Sequence, residues 1–478
     1  MRRRPTVLAV THEERYDLLV VGDGPAGLAA VDEAARLGLR VGLVDERPTL
    51  GGQIFKQPGL IVRDHRALGR DHLRGRRLIE RAERSGARLM LSTSCVSLRG
   101  STTAVLVEDG GVARTVAARN VLLAPGAHDR PVVFPGWTLP GVLTAGAAQT
   151  IVKTQRVAPG TRVLFAGSGP LALAFPAQLH HYGVNVVEAL EAGPPPGPRD
   201  LLRIAAATMG NGSVVRAAIG YRTALLRGRV PLRYRRIVLR AEGRDRVERV
   251  VHVAVDADWR VVPGTERTVE VDSLCVGYGF FPSVELMRVA GCDLRYDEDL
   301  GGPVVVVDDW MRTTVPGISA AGDATGIAGS YVAEDEGRLA VLGIAGDEDR
   351  ARPIRRRLAA KRRFQRALLP LHRIGGGVYE LATPDTVVCR CEEVRLAELE
   401  RAIDASADIN VVKGFTRVTM GLCQGRNCQR QVAALIAARH GSRIADLPLA
   451  TARSPVRPVA IGALADESVE DRGLFVAQ

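Results

Sequence analysis

The sequence predicts an α/β protein built on two dinucleotide-binding βαβ units, with a small cysteine-bearing module behind them. Three observations carry this. A glycine-rich turn stands between an apolar run and a helix-like stretch at residues 18–37. The same arrangement returns at residues 163–183. Four of the seven cysteines crowd into residues 389–428.

A chain of 478 residues is too long for one core, so two to four domains are expected. Its 46% hydrophobic content is that of a soluble globular protein. No apolar stretch approaches membrane-spanning length, so no integral membrane segment is expected. The N-terminus is basic, Met1-Arg2-Arg3-Arg4, but the apolar run Thr6–Val10 is too short for a signal-peptide core, and a cytoplasmic location is expected. The net charge is +12, with basic residues clustered between Arg350 and Arg366. No recognisable nucleic-acid module accompanies that charge, so a solvated helix or an acidic partner protein is the expectation rather than nucleic acid.

The first unit runs from Tyr16 to Arg47. Leu18 to Val21 is a continuous apolar run, as in a parallel strand buried on both faces. Gly22-Asp23-Gly24-Pro25-Ala26-Gly27 follows. Gly22 permits the tight turn, Gly24 lets backbone approach a pyrophosphate, and Gly27 lets helix pack on strand. The helix start offers free N–H groups to phosphate. A second strand, Val41–Val44, delivers Asp45 where a ribose hydroxyl would need an acceptor. Glu46, Arg47, Gly52 and Gln53 come next, the double glycine suggesting backbone close to a ligand.

Basic, helix-like sequence runs to Arg84, Leu89–Leu98 reads as one strand, and Ala104–Ala117 reads as a hairpin. Asn120–Leu123 is another buried strand, closed by Ala124-Pro125-Gly126. The second unit has its turn at Gly167-Ser168-Gly169-Pro170-Leu171-Ala172, and its second strand, Asn185–Val187, is expected to end at the acid Glu188. Arg236–Ala241, Val247–Val255 and Thr268–Asp272 read as a β-meander, and Leu274–Gly279 as the return to the first domain. Ile318–Ala321 is a short strand ending at Gly322-Asp323, and Tyr331–Ile344 reads as a helix.

At Ala124-Pro125-Gly126, Gly322-Asp323 and the two glycine turns, the chain resembles the two-dinucleotide-binding-domain flavoproteins, the thioredoxin-reductase-like group. The resemblance implies FAD on the first unit, with Asp323 on a ribityl hydroxyl. It places a second nucleotide on Gly167, Gly169, Pro170 and Glu188. That group often carries a redox Cys-x-x-Cys; none is present, so disulfide reduction is not expected. No acid–base pair stands out, and His128, His180 and His181 are candidates by residue type alone.

Cys389 and Cys391 form C-x-C, and Cys423 and Cys428 form C-x4-C. Four thiolates are the ligand set of a [2Fe–2S] cluster. Zinc is the rival, although C-x-C suits it poorly; structural disulfides do not suit a reducing cytosol. Met420–Cys428 resembles the bacterioferritin-associated-ferredoxin-like (BFD-like) [2Fe–2S] domain, with helices expected at Leu396–Ile403 and Gln429–Ala438.

The order of modules resembles the larger flavin subunits of bacterial heteromeric amino-acid dehydrogenases and oxidases. That family acts on opines, D-hydroxyproline and proline, or makes hydrogen cyanide from glycine. The resemblance implies an electron-transfer subunit. Its main partner would be an amino-acid-oxidase-like flavoprotein subunit; some members add a small ferredoxin-like one. ATP or NAD(H) is the candidate for the second nucleotide domain. Two other readings stand beside it: a stand-alone NAD(P)H-dependent reductase, and a redox- or nucleotide-sensing scaffold. The expected division is residues 1–150 and 276–375 for the FAD domain, 151–275 for the second nucleotide domain, 376–440 for the cluster domain and 441–478 for an extended arm.

Overall fold

A computed structural model of the chain describes residues 15–63, 69–208 and 211–464. The basic N-terminus, Thr6–Val10 and residues 465–478 lie outside the described residues. The first unit forms as β1 (Arg15–Val21), α1 (Pro25–Arg36) and β2 (Val41–Val44). Leu18, Leu19 and Val20 are buried on both faces of the sheet, which is why this strand reads as an unbroken apolar run. After α2 (Arg70–Glu83), the expected strand Leu89–Leu98 is two strands, β3 (Arg88–Met90) and β4 (Thr93–Arg99). Ser92 breaks it with φ of +49°, so β3 pairs with β2 while β4 turns to pair with β5 (Thr103–Glu108). The long β6 (Ala113–Leu123) pairs antiparallel with β5 at one end and parallel with β1 at the other. The order across this sheet is β3-β2-β1-β6-β5-β4.

β7 (Ala127–Asp129) leads out of the first domain, and β8 (Val142–Thr144) already belongs to a second sheet. The crossing therefore precedes residue 142 instead of falling at 150. α3 (Ala145–Thr150) continues into a π-helical turn, Ile151–Gln155. The second unit follows as β9 (Val163–Gly167), α4 (Pro170–His181) and β10 (Val186–Glu191). Next come α5 (Pro198–Ala207), α6 (Gly212–Arg227) and β11 (Leu232–Tyr234). β12 (Arg236–Glu242), β13 (Arg249–Ala254) and β14 (Arg267–Glu270) make the expected meander as a separate three-stranded sheet. β15 (Ser273–Gly277) lies parallel between β9 and β8, so most of the expected return segment is a strand of the second sheet.

The actual return is β16 (Phe280–Pro282), which pairs antiparallel with β7. α7 (Glu285–Val289) and the ladder of β17 (Leu294–Asp297) with β18 (Gly302–Val305) lead to β19 (Ile318–Ala320), which adds to the first sheet beside β6. α8 (Ser330–Ala345) then lies across α1 at a glycine: a Cβ on Gly337 would fall on the Ala26 carbonyl.

The basic run becomes α9 (Glu348–His372). Much of its charge is met from within. Arg357 and Lys361 pair with buried Asp335, Arg362 with buried Glu336, and Arg350 with buried Glu33.

The C-terminal module is β20 (Val387–Cys389), β21 (Val394–Arg395), α10 (Leu396–Ala405), α11 (Ile409–Thr416) and α12 (Gln429–His440). α11 is additional to the two helices expected there. The module shares one apolar core with the meander and the second sheet, running from Ile237 and Trp259 to Val388, Leu399 and Val432. Trp137 Nε1–H donates to the Val387 carbonyl at 2.6 Å across this junction.

Because α8 can approach α1 only where a side chain is missing, Gly337→Ala is expected to cost about 1–3 kcal/mol of stability. Chemical denaturation of the purified chain measures it, and an unchanged midpoint would contradict this packing.

Candidate functional site

One cavity of about 2150 Å³ runs from the first glycine turn past α3 to the second unit and the cysteine module. Its first-unit end is shaped by close approach. A Cβ on Gly22 would fall on the Ala124 carbonyl, and one on Gly27 would fall on the Gly22 carbonyl. A Cβ on Gly24, by contrast, would meet nothing within 4 Å. The turn is thus pinned on its strand side and open where a pyrophosphate would approach.

Asp45 is fixed by two backbone donors, Asp23 N–H and Arg47 N–H, each at 2.9 Å. Gly52 has φ of +55°, and a Cβ there would lie 2.6 Å from Gly24 Cα. Its N–H donates at 2.8 Å to Asp23 Oδ1, while Asp23 Oδ2 has no hydrogen-bond partner. Burial raises the Asp23 carboxyl well above its usual range, and the Asp45 charge adds to this. Glu46, Arg47, Gln53, Pro25, Ala26, Pro125 and Gly126 line the same cavity, as do Gly322 and Asp323. Burial pushes Asp323 up to about 6, against the Ala328 N–H that favours its charged form. The start of α8 faces the cavity through Gly329, Ser330 and Tyr331.

Between these ends sits a group that sequence reading missed. Lys56 contacts Thr150 Oγ1. Lys153 donates to the Ile54 carbonyl at 3.3 Å and to Gln149 Oε1 at 3.2 Å. Asp129 accepts from Thr144 Oγ1 at 2.7 Å and from Gly146 N–H. Burial lowers Lys56 to about 7, helped by the Arg47 and Lys153 charges, and lowers Lys153 to about 8. Lys153 reaches the cavity from the π-helical turn, an irregularity common at functional sites. Only the double glycine just before Lys56 hinted at this place.

The second unit repeats the first in detail. A Cβ on Gly167 would fall on the Gly277 carbonyl, as Gly22 does on Ala124. Here the sequence reading of Glu188 needs correction. β10 does not stop at residue 188; its pairing with β9 and β11 carries it to Glu191. Glu188 lies inside the strand, buried against Arg233 and His252. Glu191 takes the strand-end place, accepting from Gly169 N–H at 3.1 Å and Gly193 N–H at 2.8 Å. Burial pushes it up to about 7. Gly169 and Pro170 line the cavity. The last turn of α9 lies over them: a Cβ on Gly169 would sit 3.6 Å from the His372 ring, and one on Gly193 would sit 2.6 Å from the Leu371 carbonyl.

The four module cysteines lie together, with Cys428 near enough to both Cys389 and Cys423 for their charges to interact. The Cys389 thiol contacts that of Cys428, and the Cys391 thiol contacts that of Cys423. The Cys428 contact holds Cys389 down to about 6, with backbone N–H groups of Glu392, Thr419 and Cys391 assisting against burial. Among the described residues, no three His, Cys, Asp or Glu side chains converge on a single metal-ion position.

Arg426, inside the C-x4-C loop, links this corner to the first domain. Its Nε–H donates to His128 Nε2 at 3.0 Å, and its Nη1 donates to the Cys423 carbonyl at 3.2 Å. Burial lowers His128 to about 4 despite nearby Glu285, so its neutral ring can accept at Nε2, where Ser283 Oγ also lies at 2.7 Å. His180 and His181 lie at the end of α4; His181 is exposed there and lines the cavity rim.

Comparison with known proteins matches two stretches of the chain. Residues 16–337 match the pyridine nucleotide-disulphide oxidoreductase family, and residues 384–467 match the sarcosine oxidase A3 domain. The opine oxidase A subunit of Agrobacterium tumefaciens is 35% identical over 97% of this chain and 94% of its own length. The HcnB subunit of hydrogen cyanide synthase from Pseudomonas aeruginosa is 34% identical over 86% of this chain and 90% of its own. The crystal structure of L-proline dehydrogenase from P. horikoshii superposes with a TM-score of 0.68 at 23% identity, covering 94% of this chain and 79% of that one, which shows a shared fold. The chain belongs to the pyridine nucleotide-disulphide oxidoreductase family, a flavoprotein oxidoreductase of the group that includes the opine oxidase A subunit and the hydrogen cyanide synthase HcnB subunit.

Proposed function

We propose that this chain is the FAD- and [2Fe–2S]-containing electron-transfer subunit of a heteromeric amino-acid dehydrogenase or oxidase of the opine, D-hydroxyproline, proline or glycine class. An amino-acid-oxidase-like flavoprotein subunit would be its partner, joined in some assemblies by a small ferredoxin-like subunit. The observation that carries this reading is the single cavity joining the open glycine turn to the cysteine corner. Relatives named as oxidase and synthase subunits support the heteromeric part.

FAD supplies two-electron hydride chemistry and a [2Fe–2S] cluster supplies one-electron chemistry. For FAD, Gly22, Gly24 and Gly27 would form the phosphate turn, Asp45 would offer the ribose acceptor, and Asp323 would accept from a ribityl hydroxyl. The unpartnered Asp23 Oδ2 and the open face of Gly24 suit a polar ligand there. Lys153 and the start of α8 supply positive potential along the same wall.

For the cluster, Cys389, Cys391, Cys423 and Cys428 are the ligands. Four thiols gathered in one module supply the ligand set of a [2Fe–2S] cluster, and the C-x-C spacing suits zinc poorly. A subunit role is favoured over a stand-alone NAD(P)H reductase because relatives matching most of this chain are named as oxidase and synthase subunits. ATP or NAD(H) remains the candidate ligand of that unit, with Glu191 in the acceptor place.

Protein isolated without air is expected to carry flavin absorbance and iron with acid-labile sulfide. Cys428→Ser should lose the iron and keep the flavin; zinc in place of iron would overturn the cluster assignment. Native purification should bring down a second flavoprotein, whereas full amino-acid dehydrogenase activity in the isolated chain would refute the subunit reading.

Lys56 gives a pH signature. Between about pH 7 and 10.5 the unfolded chain holds a proton on Lys56 that the folded chain has released. Its contribution therefore makes stability rise with pH across that window, by up to about 1.4 kcal/mol per pH unit. Lys56→Met should flatten that rise in denaturation midpoints of the nucleotide-free protein.

A further inference from the structure

The expected C-terminal arm does not trail away over its described length; it returns to the first domain. Ser454 Oγ lies 2.6 Å from Ser97 Oγ. Val456 N–H donates to the Val96 carbonyl at 2.9 Å, and its side chain is buried with Cys95 and Leu98. Arg457 then forms an ion pair with Glu46 at 3.0 Å. Glu46 directly follows Asp45, so Val456, Arg457 and Pro458 line the cavity on the side of the strand-end acid. Arg426 supports this segment from the cysteine corner, with Nη2 3.5 Å from the Val456 carbonyl.

In a βαβ unit the phosphates lie at the helix start and the ribose lies at the acid ending the second strand. A ligand group beyond Asp45 and Glu46 is therefore adenosine. We propose that residues 454–458, braced by Arg426, form the outer wall of the adenosine end of the first nucleotide site, with Arg457 as a further binding residue. Its guanidinium is held by Glu46 at the cavity wall, where it can stack on a base or donate to its acceptors. Any adenine nucleotide held by the first unit would meet this wall, FAD included. The inference rests on the reading that the first unit holds an adenine nucleotide.

The test uses the full-length chain stripped of nucleotide, with ADP as the probe and FMN, which lacks adenosine, as the control. Calorimetric titration should show ADP binding weakened about tenfold in Arg457→Met and partly restored in Arg457→Lys, with FMN unaffected by either. Circular dichroism and thermal melts confirm that the variants fold. ADP affinity within twofold of the parent in Arg457→Met, or a parent that does not bind ADP, would overturn the proposal. Chromatography of the cofactor released on stripping, against FAD and FMN standards, decides separately whether that cofactor is FAD, so the two readings fail independently.

Discussion

The structure depends on one backbone contact made twice. Gly22 meets the Ala124 carbonyl, and Gly167 meets the Gly277 carbonyl, with no room for a side chain between them. Each contact brings the end of one parallel strand against the end of its neighbour. The turn is then held deep in the crevice while its outer face stays clear. The α1–α8 crossing follows from the same economy of space, since Ala26, inside the first turn, sets how near Gly337 can come.

Charge is arranged around that frame. A net charge of +12 suggests a surface seeking acidic partners, yet the most basic helix spends much of its charge inside the molecule. Asp335 and Glu336 are each nearly fully buried, and they are paired by Arg357, Lys361 and Arg362. A buried carboxylate with a cation beside it is costly to break, because either partner alone would be left uncompensated. The arginine run thus serves to fasten α9 onto α8.

Both βαβ units, the meander and two cysteine-module helices were legible because their signals are local: apolar runs, glycine turns and helical periodicity. What escaped was set by distant partners. Ser92 divides an apolar run because β3 and β4 are drawn to different neighbours. Glu188 looked like a strand end because the run Val186–Val187 is short, whereas pairing with β9 and β11 extends it. Lys56 and Lys153 carry no motif, and the motif around Arg426 does not tell of its reach to His128; their meaning lies in the cavity that distant segments close around them. The four cysteines were legible as a set.

Asp45 and Glu191 show how alike two motifs can be and still differ in use. Each acid reaches back over the same twenty-two-residue interval to a glycine-turn N–H. The difference between the two lies outside both motifs, in a helix end laid across one of them. A neighbouring segment can change the surroundings of such a pocket while leaving every residue of the fingerprint in place. The fingerprint then reads the same in both copies, and only the surrounding architecture tells them apart.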